Sequence, residues 1–184
     1  MDNGACSYRR FLNGDERAFD EILTQYFDGL TFFINRYLHD VHTSEDIAID
    51  VFLQLIIHPR RYNFKTSLKT YLYMMGRSRA LNELKRRSRV NMVSLDEAAE
   101  LCDADEQSLA DAVIADERAR ILNEAISRLD EPFRTVLHLI YFEDLSYDEA
   151  GRVMKKSRKQ IDNLLYRAKA TLRIELGKDG AKYL

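Results

Sequence analysis

The chain has 184 residues, 46% of them apolar and 32% charged, with a net charge of −2. That is enough apolar material for one core or two small ones, while 7 glycines and 2 prolines are too few for a turn-rich all-β fold. No apolar run approaches the roughly 18 residues of a membrane span. The opening MDNGACSYRR lacks the apolar core of a signal peptide, and Cys6 and Cys102 stand apart with no metal or redox spacing. A reduced cytoplasmic protein without membrane insertion is expected.

Taken in chain order, the pattern is helical throughout. Gly14-Asp15 opens a run with Ala18, Phe19, Ile22, Leu23 and Tyr26 on one side, and an aromatic-rich run follows over Leu30 to Leu38. Thr43 or Ser44 can cap a third helix, with Ile47, Val51 and Leu55 apolar, which His58-Pro59 ends because a residue before proline is pushed out of the helical region. A short loop, Arg60 to Lys65, precedes a long helix over about 66–87. The stretch 88–109 has weak periodicity and high acidity and reads as a linker. From about Asp111 a second helical domain begins, with Ile121, Leu122, Ala125, Ile126 and Leu129 on its first helix. Asp130-Glu131-Pro132 restarts the chain, with proline in the first turn, and Phe133, Val136, Leu137 and Ile140 form the next stripe. The expectation is an all-α protein of two small helical domains, 1–88 and 111–184, joined by an acidic linker at 89–110.

The most informative stretch lies near the end. Ser146 with Glu149 and Ser157 with Gln160 both fit the capping-box pattern, in which the hydroxyl accepts a free backbone N–H and the later side chain reaches back to the cap. Ala150, Val153 and Met154 give the first helix one apolar face; Ile161, Leu165, Ala168 and Leu172 give the second its stripe. Lys155-Lys156 between them forces a sharp corner. This is the outline of a helix-turn-helix, whose second helix enters a DNA major groove. Arg158, Lys159, Gln160 and Asn163 lie in its first two turns, where side chains reach base edges; Arg167 and Lys169 suit phosphates.

The near-zero net charge conceals strong segregation. Residues 60–89 hold ten Lys/Arg against one acid, Glu83; residues 152–173 hold eight against one acid, Asp162; residues 96–117 hold nine acids and no base. Two basic blocks predict two DNA-facing surfaces. On the long helix Lys69, Tyr73 and Arg77 share one face, and Arg79, Asn82 and Arg86 make another. With Arg60, Arg61, Tyr62 and Lys65 in the loop before it, this mixture of cations and aromatics suits strand-separated DNA, where cations follow phosphates and rings stack on unpaired bases. For any single one of these rings, taken alone, a place in the core is the favoured reading.

No catalytic set can be assembled and no glycine-rich phosphate loop is present, so no enzyme activity and no cofactor are expected. His39 and His42, near Glu45 and Asp46, have a spacing that can share a metal on a helix, but they read as a helix junction, and no metal site is expected. His138 reads as a packed histidine.

Together these residues resemble the extracytoplasmic-function (group IV) sigma factors of bacterial RNA polymerase, across nearly the whole chain outside the linker. Gly14-Asp15-Glu16-Arg17-Ala18-Phe19 looks like the opening motif. Ser44-Glu45-Asp46-Ile47 through Asp50-Val51-Phe52 looks like the polymerase-binding helix. Tyr71-Leu72-Tyr73 with Arg77 to Arg87 looks like the region that melts and reads the −10 element. Leu129 through Phe142 and Leu145-Ser146-Tyr147 look like the first half of the −35-binding domain. Gln160-Ile161-Asp162-Asn163-Leu164-Leu165-Tyr166-Arg167-Ala168-Lys169 looks like its recognition helix. The chain departs from the pattern with Ile49 where glutamine is frequent and with Met74-Met75-Gly76-Arg77-Ser78 in place of an Arg-Ile-Ala-Arg-Asn-like run. It also has Lys155 where glycine is frequent at the turn, and a glycine-free turn is expected to keep ordinary backbone angles.

The resemblance implies an alternative sigma factor that binds RNA polymerase core and directs initiation at −35/−10 promoters. It implies that Asp46 and Asp50 contact the β′ clamp helices, that the second domain sits near the β flap, and that an anti-sigma factor is a partner. The competing reading is a stand-alone helix-turn-helix regulator binding palindromic DNA as a homodimer.

Overall fold

The computed structural model describes residues 3–93 and 117–177. The chain forms two compact units, Met1–Ala104 and Asp105–Leu184. Every regular element among the described residues is helical.

The first unit holds α1 (Asn3–Leu12), α2 (Arg17–Leu38), α3 (Val41–Ile57) and α4 (Leu68–Val93), with a short 3₁₀ turn at Pro59–Arg61. α2 is central and packs against the other three helices. Ile22, Leu30, Phe33 and Ile34 of α2 meet Val51 and Leu55 of α3 and Leu68 and Leu72 of α4 in a core where each is almost wholly buried. Gly76 lets α4 come close to α2, since a Cβ there would lie 2.8 Å from Leu30 Cδ1. The two runs expected over 18–26 and 30–38 are one uninterrupted helix. Gly29 costs about 1 kcal/mol relative to alanine inside a helix, and burial on both sides of it outweighs that. Helix α1 was not foreseen. Its anchors are Gly4, against the Tyr26 ring, and Tyr8, wholly buried, whose hydroxyl donates to Leu55 O at 2.8 Å. Burial first, and the neighbouring Tyr71 second, push the Tyr8 phenol up to about 12.

The cap of α3 is Asp40, not Thr43 or Ser44. Only Asp40 stands just before the first helical residue in an extended conformation, and its carboxylate accepts from Thr43 N at 3.1 Å and from the Thr43 hydroxyl at 2.7 Å. Thr43 is therefore the capped donor. His39, with φ of 50°, closes α2, so the His39–His42 stretch is a helix junction. α3 ends at Ile57, directly before His58-Pro59. α4 starts later than expected, at Leu68, and continues past Arg87 to Val93. The remainder of the acidic segment, and the start of the second domain near Asp111, lie outside the described residues.

The second unit holds α5 (Glu117–Ser127), α6 (Glu131–Leu137), a π-turn at His138–Phe142, α7 (Tyr147–Met154) and α8 (Arg158–Glu175). Pro132 sits in the first turn of α6, where no partner is needed for its missing N–H. The wide turn carries Glu143 N back to His138 O at 3.1 Å, turning Tyr141 and Phe142 outward while His138 is buried with its Nε2 3.2 Å from Glu143 Oε1. Both capping boxes form, at Ser146/Glu149 and Ser157/Gln160. The corner between α7 and α8 corrects one expectation: Lys155 adopts φ 55° and ψ 46°, the left-handed region. The helix must reverse within two residues, and Lys156 N donates to Gly151 O at 2.8 Å to do so. The glycine the corner depends on lies one turn earlier: a Cβ on Gly151 would come within 2.6 Å of the Lys156 carbonyl oxygen.

Candidate nucleic-acid and polymerase surfaces

Ser157 fixes where α8 begins. Its hydroxyl accepts from Gln160 N at 3.3 Å, and Gln160 Oε1 accepts from Ser157 N at 2.8 Å. Ile161, Leu165, Ala168 and Leu172 are buried against α6 and α7, so the opposite face points to solvent. Lys159, Gln160 and Asn163 are exposed on it. One detail narrows the expectation for Gln160: its oxygen is held by the cap, and a bidentate contact to adenine needs that oxygen together with the amide N–H. In this conformation one lone pair of that oxygen is taken and the cap sets its direction, while the N–H₂ end is unengaged. Arg158 lies on the flank nearer α7, its Nη1 3.3 Å from Asp148 Oδ2, with 71% and 59% of the two side chains exposed.

The two cations assigned to phosphates rest on rings. Arg167 Cζ lies 5.5 Å from the Phe133 ring centre and Lys169 Nζ 5.1 Å from that of Tyr141. Such contacts hold a long side chain in one direction. Arg167 is exposed, whereas Lys169 is half-buried. Tyr166 is 77% exposed, outside the buried stripe of α8. Sequence reasoning passed over it because an aromatic on a helix is more often core. Its position four residues after Asp162 and one after the buried Leu165 places it outside the apolar stripe, and that spacing was the available signal.

In the first unit the basic block is less free. Arg60, Arg61 and Lys65 are exposed around the 3₁₀ turn, with Arg61 Nη1 donating to Gln54 Oε1 at 3.0 Å. Tyr62 and Tyr73, expected to meet unpaired bases, are 3% and 1% exposed and belong to the core. The Tyr62 hydroxyl donates to Thr66 O at 2.7 Å, and its ring packs among Tyr8, Phe64 and Tyr71; the Tyr73 ring packs on Phe33, 4.9 Å between centres. The face of α4 carrying Lys69, Tyr73 and Arg77 thus turns inward: Lys69 lies along the Tyr73 ring and Arg77 Nε donates to Tyr37 Oη at 3.2 Å. The outward face is the other expected one, where Asn82 and Arg86 are exposed.

Three cations on α4 are spent on carboxylates. Arg79 Nη1 is 2.8 Å from Asp50 Oδ2 on α3. Arg87 bridges Asp40 at 2.8 Å and Glu83 at 3.0 Å, and Arg86 also pairs with Glu83 at 2.7 Å. Asp40 is held down to about 2, first by the Thr43 hydroxyl and N–H and then by Arg87; Glu83 is held at about 2, chiefly by Arg86 and further by Arg87. These bonds tie the cap of α3 to the end of α4.

Asp46 and Asp50 are both exposed, one helical turn apart on α3. Beside them runs a feature absent from the sequence expectations. Ile49, Leu53 and Ile56 are 46%, 43% and 44% exposed, and with Phe19, Leu23 and Phe27 of α2 they line a groove of about 550 Å³ with Asp28 also on its wall. An apolar groove with one carboxylate, Asp28, on its wall fits a partner helix with an apolar stripe and a flanking Arg or Lys.

Comparison with known proteins converges on one family. Residues 22–90 match Sigma-70 region 2, and residues 119–172 match Sigma-70, region 4. The RNA polymerase sigma-H factor of Pseudomonas aeruginosa is 28% identical over 170 residues, covering 89% of this chain and 88% of that protein. The ECF RNA polymerase sigma factor SigM of Bacillus subtilis is 27% identical over 154 residues, covering 84% and 92%. In fold, the chain is similar to the sigma factor RpoE of Bartonella quintana, solved with the anti-sigma factor NepR, at TM-score 0.67 and 20% identity over 88% of this chain and 98% of that one. It is also similar to CnrH, solved with the cytosolic domain of CnrY, at TM-score 0.66 and 18% identity over 97% and 99%.

Proposed function

The chain belongs to the sigma-70 family of RNA polymerase sigma factors, in its extracytoplasmic-function branch, and from that premise we propose how its surfaces divide the work of promoter recognition. The protein is an alternative sigma factor: it binds RNA polymerase core and directs initiation at promoter DNA. It is all-α, with one unit matching region 2 and the other region 4. It acts by binding, and a cytoplasmic location follows from its partners.

The second unit, which contains the domain expected over 111–184, reads the −35 element by placing the start of α8 in the major groove, and it sits near the β flap. Lys159 and Asn163 address base edges, Arg158 joins them by exchanging Asp148 for DNA, and Gln160 contributes its amide N–H₂. Arg167 and Lys169 approach phosphates from the ring platforms that orient them. The first unit, which contains the domain expected over 1–88, handles the −10 element. With Tyr62 and Tyr73 in its core, the contacts fall to Arg60, Arg61, Lys65, Asn82 and Arg86, while Lys69, Arg77 and Arg79 act from partly held positions. The acidic stretch beyond α4, within the linker expected over 89–110, carries the negative charge to run through a basic channel that nucleic acid otherwise fills.

Asp46 and Asp50 face the β′ clamp helices, and the groove beside them supplies the apolar part of the contact. The groove also offers the surface that an anti-sigma factor must cover to keep the protein from polymerase. The observation that carries this reading is the segregation on α8: a buried stripe fully used in packing and, opposite it, a capped and exposed cationic face. Electrophoretic mobility of promoter DNA, with and without core enzyme, tests it alongside gel filtration of the free protein. A monomer that shifts DNA only together with core is expected. A dimer that binds palindromic DNA alone would support the homodimeric regulator instead.

A further inference from the structure

Among residues 152–173 eight are Lys or Arg and one is acidic, Asp162. It is exposed, in the second turn of α8. The i, i+4, i+8 row Arg158, Asp162, Tyr166 sets it between two strongly exposed side chains on the flank that begins beside α7. Arg158 is one turn away and well placed to neutralise it, yet pairs with Asp148 instead, at 3.3 Å. Among the described residues Asp162 has no hydrogen bond or ion pair.

Helix stability gives no reason for this residue. Aspartate is a poor helix former in an interior position, and position 162 lies beyond the first turn, where the helix dipole favours an acid. Facing a duplex, its charge is repelled by phosphates. Within the groove, the contact that offsets this repulsion is a donor on a base edge. In the major groove those donors are cytosine N4 and adenine N6, and adenine presents its N7 acceptor next to the amino group, against the second carboxylate oxygen. Cytosine presents no such acceptor on its own edge.

We propose that Asp162 is a specificity-determining residue of this protein, its carboxylate accepting from the N4 amino group of a cytosine in the −35 element. The inference rests on the reading of the second unit as the −35 domain. A guanine or thymine at that step, with acceptors only, meets an unpaired carboxylate and is rejected. The acid thus lowers affinity for DNA in general and restores it at one base, which sharpens discrimination at the expense of raw affinity.

The test is transcription by reconstituted holoenzyme from a promoter library randomised across the −35 element, with the wild type, Asp162→Ala and Asp162→Asn. Helix content and core binding are measured on each, and both are expected to be unchanged because the side chain is exposed. The wild type is expected to enrich cytosine at one position. Asp162→Ala loses that enrichment, by roughly tenfold, and transcribes the disfavoured promoters as well as or better than the wild type. Asp162→Asn, which adds a donor beside the acceptor, moves the preference toward adenine. If Asp162→Ala raises all promoters by one factor, or leaves the ranking intact, Asp162 is a repulsive or solvated charge and the proposal is overturned. If the wild-type holoenzyme shows no −35 preference at all, the reading of the second unit fails, and the proposal with it.

Discussion

The two basic helices, α4 with seven Lys/Arg and α8 with five, use their positive charge in opposite ways. On α4 the cations are also structural bonds: Arg79 holds Asp50, Arg87 holds Asp40 and Glu83, and Arg77 reaches Tyr37, while Tyr73 is sunk into the core. On α8 the buried stripe does the packing, and Lys159, Asn163 and Tyr166 stand outside it. Where a functional group doubles as a structural one, a substitution changes fold and function together. Where the two are segregated, function can be altered alone.

Two tyrosines make the sharpest version of this contrast. Tyr73→Ala empties a site that is 1% exposed and is expected to cost about 3–5 kcal/mol, the range for a large buried aromatic. Tyr166→Ala, at a site 77% exposed, is expected to cost under about 0.5 kcal/mol while reducing promoter binding. Chemical denaturation followed by helix signal decides it, and equal costs would break the comparison.

The next effects lie in the second unit's corner. Ser157→Ala removes half of a capping box and is expected to destabilise by about 1 kcal/mol. Lys155→Gly is expected to do the reverse, by a similar amount of about 1 kcal/mol, since glycine adopts left-handed angles without the side-chain penalty. A melt in which Lys155→Gly is less stable than the wild type would show that the lysine is held there by something other than tolerance of strain.

How much of this was legible in the sequence varies with the kind of signal. Both capping boxes and the stripe on α8 could be read because each depends on residues three or four apart. The Asp40 cap was missed because Thr43 and Ser44 are also good capping residues, and only the backbone angles choose among them. The inward turn of Tyr62 and Tyr73 was weighed for each ring singly but not carried into the expected DNA contacts, because rings on or just before a basic helix look alike whether they point in or out. The apolar groove was invisible for a related reason: it is made of α2 and α3 side by side, each of which alone looks like an ordinary core helix. Helix α1 offered a short run containing a glycine, and its stability comes from contacts with Tyr26 and Leu55 far along the chain.

A smaller effect separates the units by acid. Asp40 and Glu83 sit at about 2 in the fold, below ordinary values of 3.8 and 4.5. A carboxyl depressed by folding contributes stability that is complete above its unfolded value and is lost as pH falls through the folded one. The first unit is therefore expected to weaken between about pH 4.5 and pH 2, and Asp40→Asn is expected to flatten that slope. A slope identical to the wild type's would remove Asp40 from the network that ties α3 to α4.

A similarly small effect on stability is expected for Asp46→Lys with Asp50→Lys, each an exposed change. Their cost to the fold is expected to be under about 0.5 kcal/mol for an ordinary surface site, with a small addition where Asp50 no longer holds Arg79. Binding to core is expected to fall markedly. Unchanged capture of core by the double variant would reject these residues as polymerase contacts and leave the apolar groove as the contact surface.

Run-off transcription with purified core over a panel of −35 variants tests the division of labour between α4 and α8 most directly. It compares the wild type with Asn163→Ala on α8 and Arg86→Ala on α4. Core-dependent transcripts are expected to start at a fixed distance from the −35 variants, with Asn163→Ala reordering those variants and Arg86→Ala lowering all of them by one factor. If Asn163→Ala also scales every promoter equally, the exposed face of α8 holds DNA without reading it, and the account is wrong at its centre.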